Sequence, residues 1–304
     1  MKYPIIYEQN GGTLNQMTFV TFNVYGGGKL FEQRKESITQ TILSNNTPDI
    51  ICLQEATESV INHILKKLPN YYSWTKLDIL QNDPKISQEN INKVKKTGFI
   101  AILSKWKFIS KEVIHQGSWC DDGIMKVIVD SRSKLGFNLV IYNVHTIGGS
   151  FKLSEKEVLE KRKIRIKELK MLSNDLEKEV GKNIIIGGDF NLDSNDSVNY
   201  PEANHLPEKV IRNFIDLWEN IGPKDDPGFT ESYENNLFRH YLKPGQNRNA
   251  RYDKIIYSGN NLNPNSIIMI GNKTIGTIKD KDGKDVNLFP SDHFGLKAIF
   301  KNVN

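Results

Sequence analysis

Apolar residues cluster along this chain in short runs rather than long stretches. The runs MTFVTFNV (17–24), DIICLQE (49–55), GFIAILSK (98–105), MKVIVD (125–130), FNLVIYNVH (137–145), NIIIGGDFN (183–191), RYDKIIYS (251–258), NSIIMIG (265–271) and FGLKAIF (294–300) are β-branched or aromatic-rich and bounded by turn formers, the pattern of strands. Helical spacing alternates with them. Residues 32–45 place Ile38, Ile42 and Leu43 on one face, and residues 154–180 do so with Val158, Leu159, Ile166, Leu169, Leu172 and Leu176. The longer helix opens with Ser154 and Glu157 at capping-box spacing and stops at Gly181. Residues 207–221 predict a shorter third helix, whereas the polar stretch 76–98 reads as a loop or surface insertion. Strands mixed with helices over one uninterrupted length predict an α/β fold of packed layers. No internal repeat and no Pro/Gly/Ser-rich linker divides the chain, so residues 17–304 are expected to form one domain behind an N-terminal extension, 1–16.

Composition narrows the class. The 304 residues carry 38% hydrophobic side chains at a mean hydropathy of −0.49, and no apolar run has the length of a membrane-spanning helix. The first residues, MKYPIIYEQNGG, lack the apolar core and small-residue cleavage site of a secretory signal. Cys52 and Cys120 are the only cysteines, and Cys52, inside DIICLQ, reads as a small buried hydrophobe rather than half of a disulfide framework. An intracellular setting, no stable membrane association and a monomer are the expectations. The formal charge of +5 is compatible with a polyanionic partner without establishing one.

The strand ends hold the chemistry. Asn23, Glu55, His145, Asp189 with Asn191, Asp253, and Asp292 with His293 all stand at or just beyond the ends of predicted strands. Taken singly, each has a structural explanation, because Asp and Asn at strand ends usually cap turns. Together they describe a site. Residues two apart in an extended segment face the same way, so Asp189 and Asn191 project together and can hold one water between an acceptor and a donor. Glu55 offers the hard oxygens that suit Mg²⁺. A histidine backed by a carboxylate, as His293 is by Asp253 in this reading, has its tautomer fixed and its cation stabilised. Carboxylates, amides and histidines around a metal-bound phosphate make a phosphoesterase site. Neither HExxH nor a Cys₂His₂ spacing occurs, which argues against a zinc hydrolase.

The motifs TFNV (21–24), PDIICLQE (48–55), NVH (143–145), GGDFNLD (187–193), RYDKI (251–255) and PSDHFGL (290–296) resemble, in the same order, those of the endonuclease/exonuclease/phosphatase superfamily, the deoxyribonuclease-I-like fold. The resemblance implies a four-layered α/β sandwich, two packed mixed β-sheets flanked by helices. Within it, GGDFNLD, FIDLWENIG (214–222) and FPSDHFGL (289–296) are similar to the tyrosyl-DNA phosphodiesterase 2 family, which cleaves the phosphodiester joining a topoisomerase tyrosine to a DNA 5′ end. Two departures stand out: Tyr25 occupies a position where that family commonly has Asp, and TIGGS rather than Leu-Glu follows His145. Carried over, the resemblance implies that Glu55 binds Mg²⁺, or Mn²⁺ as the alternative, with Asn23 and Asp292 beside it. It implies that Asp189 and Asn191 align the attacking water, and that His145 and the His293–Asp253 pair stabilise charge on the phosphoryl oxygens.

Substrate choice is less constrained. The run FRHYLKPGQNRNARYDK (238–254) interleaves Arg239, Lys243, Arg248 and Arg251 with Tyr241 and Tyr252. Such a run can follow a phosphate backbone and stack a base, making Arg248, Arg251 and Tyr252 candidate substrate contacts and nucleic acid, a DNA end or duplex, the expected partner. A solvated loop explains the same run equally well. Abasic-site or deoxyribonuclease-like cleavage and sphingomyelinase or phosphoinositide phosphatase activity are the alternatives. NLDS and RYDKI stand where the phosphoinositide branch carries an arginine and a Trp-Cys-Asp-Arg signature. A catalytically silent binding module on the same fold is the remaining class.

Overall fold

The computed structural model describes residues 16–117, 122–149, 153–196, 198–279 and 282–302. Cys120 and all but the last residue of the expected N-terminal extension lie outside these. Two six-stranded sheets form the centre. In spatial order the first holds β13 (Leu262–Ile270), β16 (Gly295–Asn302), β1 (Gln16–Asn23), β2 (Ile50–Ala56), β4 (Phe99–Ser104) and β3 (Tyr72–Thr75). The second holds β5 (Phe108–His115), β6 (Gly123–Val129), β7 (Leu139–His145), β8 (Asn183–Asp189), β12 (Asp253–Ser258) and β9 (Ile215–Asp216). Two small ribbons pair β10 (Glu231–Ser232) with β11 (Asn249–Ala250) and β14 (Gly276–Lys279) with β15 (Asp285–Leu288).

The strands read as continuous apolar runs because both of their faces are buried. Alternate residues go to opposite sides. Phe19, Cys52, Ile102, Val127, Ile141, Ile185, Ile255 and Phe300 meet between the sheets. The intervening Val20, Phe22, Ile51 and Leu53 pack outward against Ile38, Ile42, Val60, Ile64, Ile91 and Val94 of the helices Phe31–Leu43, Glu58–Lys67 and Gln88–Thr97. On the other side, Val140, Tyr142, Ile184 and Ile186 pack against Leu169, Leu172 and Leu176 of the helix Glu155–Leu176. Helix, sheet, sheet and helix layers follow in turn, which is the expected four-layered sandwich.

Two expectations about helices are corrected. Residues 76–98 are not a loop: Thr75 caps a helix at Lys76–Gln81, Ser87 caps another at Gln88–Thr97, and Leu77, Ile91 and Val94 are buried. Residues 207–221 are not one helix but Pro207–Val210, strand β9 and Leu217–Ile221, because the Asp216 side chain accepts from the amides of Trp218 and Glu219 and starts a new helix there. No described helix is long and apolar enough to cross a membrane.

Strand direction gathers the polar ends. β1 and β2 run parallel, as do β7 and β8, while β12 runs antiparallel to β8 and β16 antiparallel to β1. The last residues of four strands and the first residues of two therefore reach one edge of the sandwich. In β8 this edge is reached through Gly187 and Gly188. A Cβ on Gly187 would sit 2.6 Å from the Phe19 ring of the opposing sheet, and one on Gly188 would sit 1.9 Å from the Val144 carbonyl oxygen of β7. The glycine pair lets the sheets close directly beneath Asp189. Gly188→Ala is expected to destabilise the fold by about 3 kcal/mol, measured by urea unfolding, because backbone and not a mobile side chain must yield. A loss below about 1 kcal/mol would show that β7 relaxes freely at this point.

Candidate active site

The edge forms a cleft of about 320 Å³ lined by Tyr25, Glu55, His145, Gly148, Gly149, Asp189, Asn191, Glu231, Lys243, Gln246, Arg248, Tyr252, Asp292 and His293. Register accounts for much of this assembly. In β8 Asp189 lies directly opposite His145 of β7 on one side and Asp253 of β12 on the other. Asn23 ends β1 and its Nδ2 donates at 3.0 Å both to Glu55 Oε1 and to Asp189 Oδ2, joining the two sheets by one amide. Beneath it, Gln54 Nε2 donates to Asn143 Oδ1 at 2.7 Å, and Asn143 Nδ2 donates to the carbonyls of Leu53 and Ala101.

Three of the seven described non-glycine residues with positive φ stand at the cleft. Tyr25, Glu55 and Asn191 are non-glycine residues with φ of 47°, 50° and 50°, in the left-handed region, and all three line the cleft. Glu55 sits in the β-bulge between Leu53 and Ala56, its carbonyl accepting from Gly26 N at 2.8 Å. A Cβ on Gly98 would lie 2.7 Å from that carbonyl oxygen, so the bulge needs glycine there. Asn191 is held by its backbone N donating to Asp189 Oδ1 at 2.8 Å and its Nδ2 donating to the Thr146 carbonyl at 2.9 Å.

Asp189 is buried between two histidines. Burial opposes its ionisation, yet His293 and His145, with hydrogen bonds from Asn23 and Asn191, hold it below the usual carboxylate range. His145 Nε2 lies 3.7 Å and His293 Nδ1 3.8 Å from Asp189 Oδ2. His293 Nδ1 is 2.8 Å from Asp253 Oδ2 and, facing an acceptor, is the donor, which leaves Nε2 for other partners. Burial alone would lower the His293 value, but the carboxylates of Asp253 and Asp189 drive it up, and the imidazole stays a cation at neutral pH. Asp253 is pushed upward by burial, against the pull of His293. It stands behind His293 rather than in the cleft wall, its N–H and that of Tyr252 donating to Thr230 Oγ1.

Asp189, Asp253 and His293 lie close enough to share a cation. All three are buried, and Asp253 Oδ2 is already taken by the His293 N–H, so they read better as a hydrogen-bonded relay. Of the four carboxylates that line the cleft, Asp189 is taken by its histidines and amides and Glu231 by arginines, while Glu55 and Asp292 both act on the hydroxyl of Tyr25. Hard oxygen donors from the β2 bulge and the loop before β16, with the Asn23 amide behind them, suit Mg²⁺ or Mn²⁺. Burial opposes ionisation of Asp292, but Lys243, His293 and Arg239 pull it down to about 2.

Several residues that hold this geometry were not singled out as site residues by the sequence. Arg34 lies in the charged stretch EQRKES, yet it is fully buried and donates to the carbonyls of Val24, Tyr25, Lys29 and Pro290. It thereby ties the loop after β1 to the loop before β16, and burial lowers its pKa to about 10. Ser291 Oγ donates to the Asn23 carbonyl at 2.7 Å, and Asn236 Nδ2 donates to the Ser291 carbonyl at 2.9 Å.

The basic run separates into two kinds of residue. Lys243, Arg248 and Tyr252 line the cleft, with the Arg248 guanidinium 4.9 Å from the Tyr252 ring centroid. Arg248 also donates to Tyr200 Oη and to Glu231 Oε2. Arg251 is a correction. Only 1% exposed, it donates to both Asp216 oxygens, to Glu219 and to Ser194, so both terminal nitrogens are committed and the side chain is absent from the cleft lining. Arg239 is likewise fully buried against Glu231.

The cleft and its two-sheet frame define a phosphoester hydrolase type of site on a deoxyribonuclease-I-like fold. Residues 20–293 match the Endonuclease/Exonuclease/phosphatase family, and the chain belongs to it. Tyrosyl-DNA phosphodiesterase 2 of Xenopus laevis is 25% identical over 297 residues, covering 94% of this chain and 67% of that protein. Among solved structures, truncated TDP2 from Caenorhabditis elegans superposes with a TM-score of 0.67 at 20% identity, over 94% of this chain and 97% of that one. D. rerio TDP2 complexed with a single-strand DNA product gives 0.67 at 18% identity, over 94% and 99%. SmcL gives 0.61 at 17% identity, over 94% and 99%, and so shares the fold.

The Asp216 cluster gives a pH-dependent test. Burial opposes the Asp216 charge, but Lys254 and Arg251 outweigh it and bring its pKa from 3.8 down to about 2. A depressed carboxylate contributes stability above its unfolded value and loses it as pH falls through the folded one, here about 2 kcal/mol. Asp216→Asn is therefore expected to cost about 3 kcal/mol or more at pH 7, since two buried cations lose their partner. In urea titrations the gap from wild type should narrow as pH falls from about 4 towards about 2. A gap that stays constant over that window would remove the Asp216 charge from the account.

Proposed function

We propose that this chain is a divalent-metal-dependent phosphodiesterase acting on nucleic acid, and that its substrate is a 5′-tyrosyl–DNA phosphodiester. The observation that carries the reading is the Asp189–Asn191 pair, held side by side in one cleft with His145, His293 and the Glu55 and Asp292 carboxylates. In this reading Asp189 orients the attacking water and takes its proton as the new bond to phosphorus forms in line with the breaking bond to the tyrosyl oxygen, which leaves as phenolate and is protonated from solvent. Asn191 donates to the water or to a phosphoryl oxygen. The His293 cation, with Asp253 behind it, and His145 face the charge that grows on the phosphoryl oxygens, which favours the transition state over the bound ester. Glu55 and Asp292 would hold the metal, whose part is to neutralise phosphoryl charge.

The tyrosyl–DNA assignment is supported by the similarity to tyrosyl-DNA phosphodiesterase 2 and by the aromatic and cationic wall of Tyr25, Tyr252, Lys243 and Arg248. Abasic-site cleavage and lipid-headgroup esters are the competing readings. The β14–β15 ribbon is polar, with Thr277, Lys279, Asp285 and Asn287 along it, and offers little for insertion into a lipid surface.

Purified protein should be offered 5′-phosphotyrosyl, abasic and intact oligonucleotides and headgroup esters, with and without Mg²⁺. Release of tyrosine from the first, dependent on Mg²⁺, is expected; preferred cleavage of any other member replaces the substrate assignment. Asp189→Asn should lower turnover by about 10³-fold or more with the thermal midpoint little changed, and a variant keeping a tenth of the rate would exclude Asp189 from proton transfer. Arg248→Ala should weaken oligonucleotide binding and reduce its salt slope by about 1, the value for one lost phosphate contact. An unchanged slope would return Arg248 to a purely structural role beside Glu231.

A further inference from the structure

The cleft already contains a cation next to one of its metal-suited carboxylates. Lys243 Nζ lies 3.2 Å from Asp292 Oδ2 and 3.5 Å from Glu231 Oε1. The lysine follows the short helix Leu237–Leu242, and its backbone N donates to the Arg239 carbonyl at 2.8 Å. Pairing of β10 with β11 closes the segment that carries it, so the backbone is anchored at both ends over the cleft. The side chain is not similarly enclosed: it is 37% exposed, and its four-carbon stem has rotatable bonds that could carry the ammonium off Asp292.

The two partners of Lys243 differ in what they would lose with it. Glu231 also meets Arg239 and Arg248 and keeps a cation if the lysine leaves. For Asp292, Lys243 is the one partner at ion-pair distance among the described residues. An ammonium and a divalent cation repel, and they cannot both sit against the same carboxylate oxygen. Tyr25 sharpens the competition. It stands between the influences of Glu55 and Asp292 and contributes a neutral hydroxyl, so no third carboxylate from that position favours the divalent ion.

We propose that Lys243 is a resident counter-cation of Asp292 which a divalent ion displaces before Glu55 and Asp292 share that ion, so that this lysine sets how tightly the chain holds its metal. The inference rests on the reading of Glu55 and Asp292 as metal ligands. Displacement moves the ammonium off Asp292 and leaves it near Glu231. The lysine thus acts as a positioning residue on the metal centre.

Isothermal titration of Mg²⁺ and Mn²⁺ into the full chain tests this without any substrate. Lys243→Met should bind both ions about tenfold more tightly than wild type, a difference of about 1.4 kcal/mol, and Lys243→Gln, as a second neutral variant, should do the same. Lys243→Arg, which keeps the charge, should stay within about threefold of wild type. Adding Asp292→Asn to Lys243→Met should abolish the gain, because the competition is for that carboxylate. Equal or weaker binding by both neutral variants overturns the inference and leaves the phosphoester reading to the substrate panel. Absence of binding to every protein overturns both the inference and the assignment of Glu55 and Asp292. A merely structural role for Lys243 would lower the thermal midpoint of the variants without tightening the metal isotherm.

Discussion

A carboxylate buried to 1% exposure is the constraint around which this molecule is arranged. An isolated charge in that position would be expelled or neutralised, so Asp189 can stay ionised only if its surroundings supply donors and cations. They come from separate parts of the chain: Asn23 from β1, Asn191 from the turn after β8, His145 from β7 and His293 from the loop before β16. Each is itself held in place. Asp253 fixes the ring of His293, Thr146 fixes Asn191, and Ser291 takes the carbonyl of Asn23. The network spans both sheets, so the condition that keeps Asp189 charged is also the condition that the sandwich be correctly closed.

Closure in turn depends on devices that do not touch the site chemistry. The Gly187–Gly188 pair allows β8 to approach β1 and β7, and the Gln54–Asn143 bond joins the sheets immediately below. Arg34 does the same for the loops, satisfying four carbonyls with one guanidinium where ordered water would be the usual solution. Three left-handed non-glycine residues at the cleft, Tyr25, Glu55 and Asn191, fit this picture, since strain of about 1–3 kcal/mol per residue persists only where neighbours over-determine the backbone.

The parts of this arrangement legible in the sequence are those where local pattern and global structure coincide. Strands buried on both faces announce themselves as apolar runs, and a polar residue at their ends is conspicuous because it breaks the run. Asp189, Asn191, His145 and His293 were readable for that reason, and the family resemblance supplied their common destination. The helices within 76–98 were not, because Leu77, Ile91 and Val94 are few and widely spaced, and only tertiary packing makes that face apolar. Arg34 and Arg251 mark the deeper limit. A sequence shows that a guanidinium is present, while its role depends on whether carbonyls, carboxylates or solvent stand opposite. Arg251 looked like a phosphate contact because it precedes Asp253 in a basic run, yet Asp216 and Glu219, distant in sequence, had already claimed it.

The balance of charge in the cleft bears on why the proposed metal would suit this site. Glu55, Asp189, Glu231 and Asp292 contribute four negative charges, against which stand Lys243, Arg248 and the His293 cation. A phosphodiester is itself an anion and gains little from a lining of this kind, whatever the chain's overall +5 does for its approach. Glu231 further ties up Arg248 and the buried Arg239, and Asp292 ties up Lys243, so the fixed cations are largely committed to carboxylates before any ester arrives. Two added positive charges on Glu55 and Asp292 would reverse that balance and release the ammonium at the same time. The acidic character that makes the cleft by itself a poor phosphate site is what would suit it to a dication, and on the proposed reading the same carboxylates would serve folding, through their ion pairs, and metal binding, through exchange of Lys243.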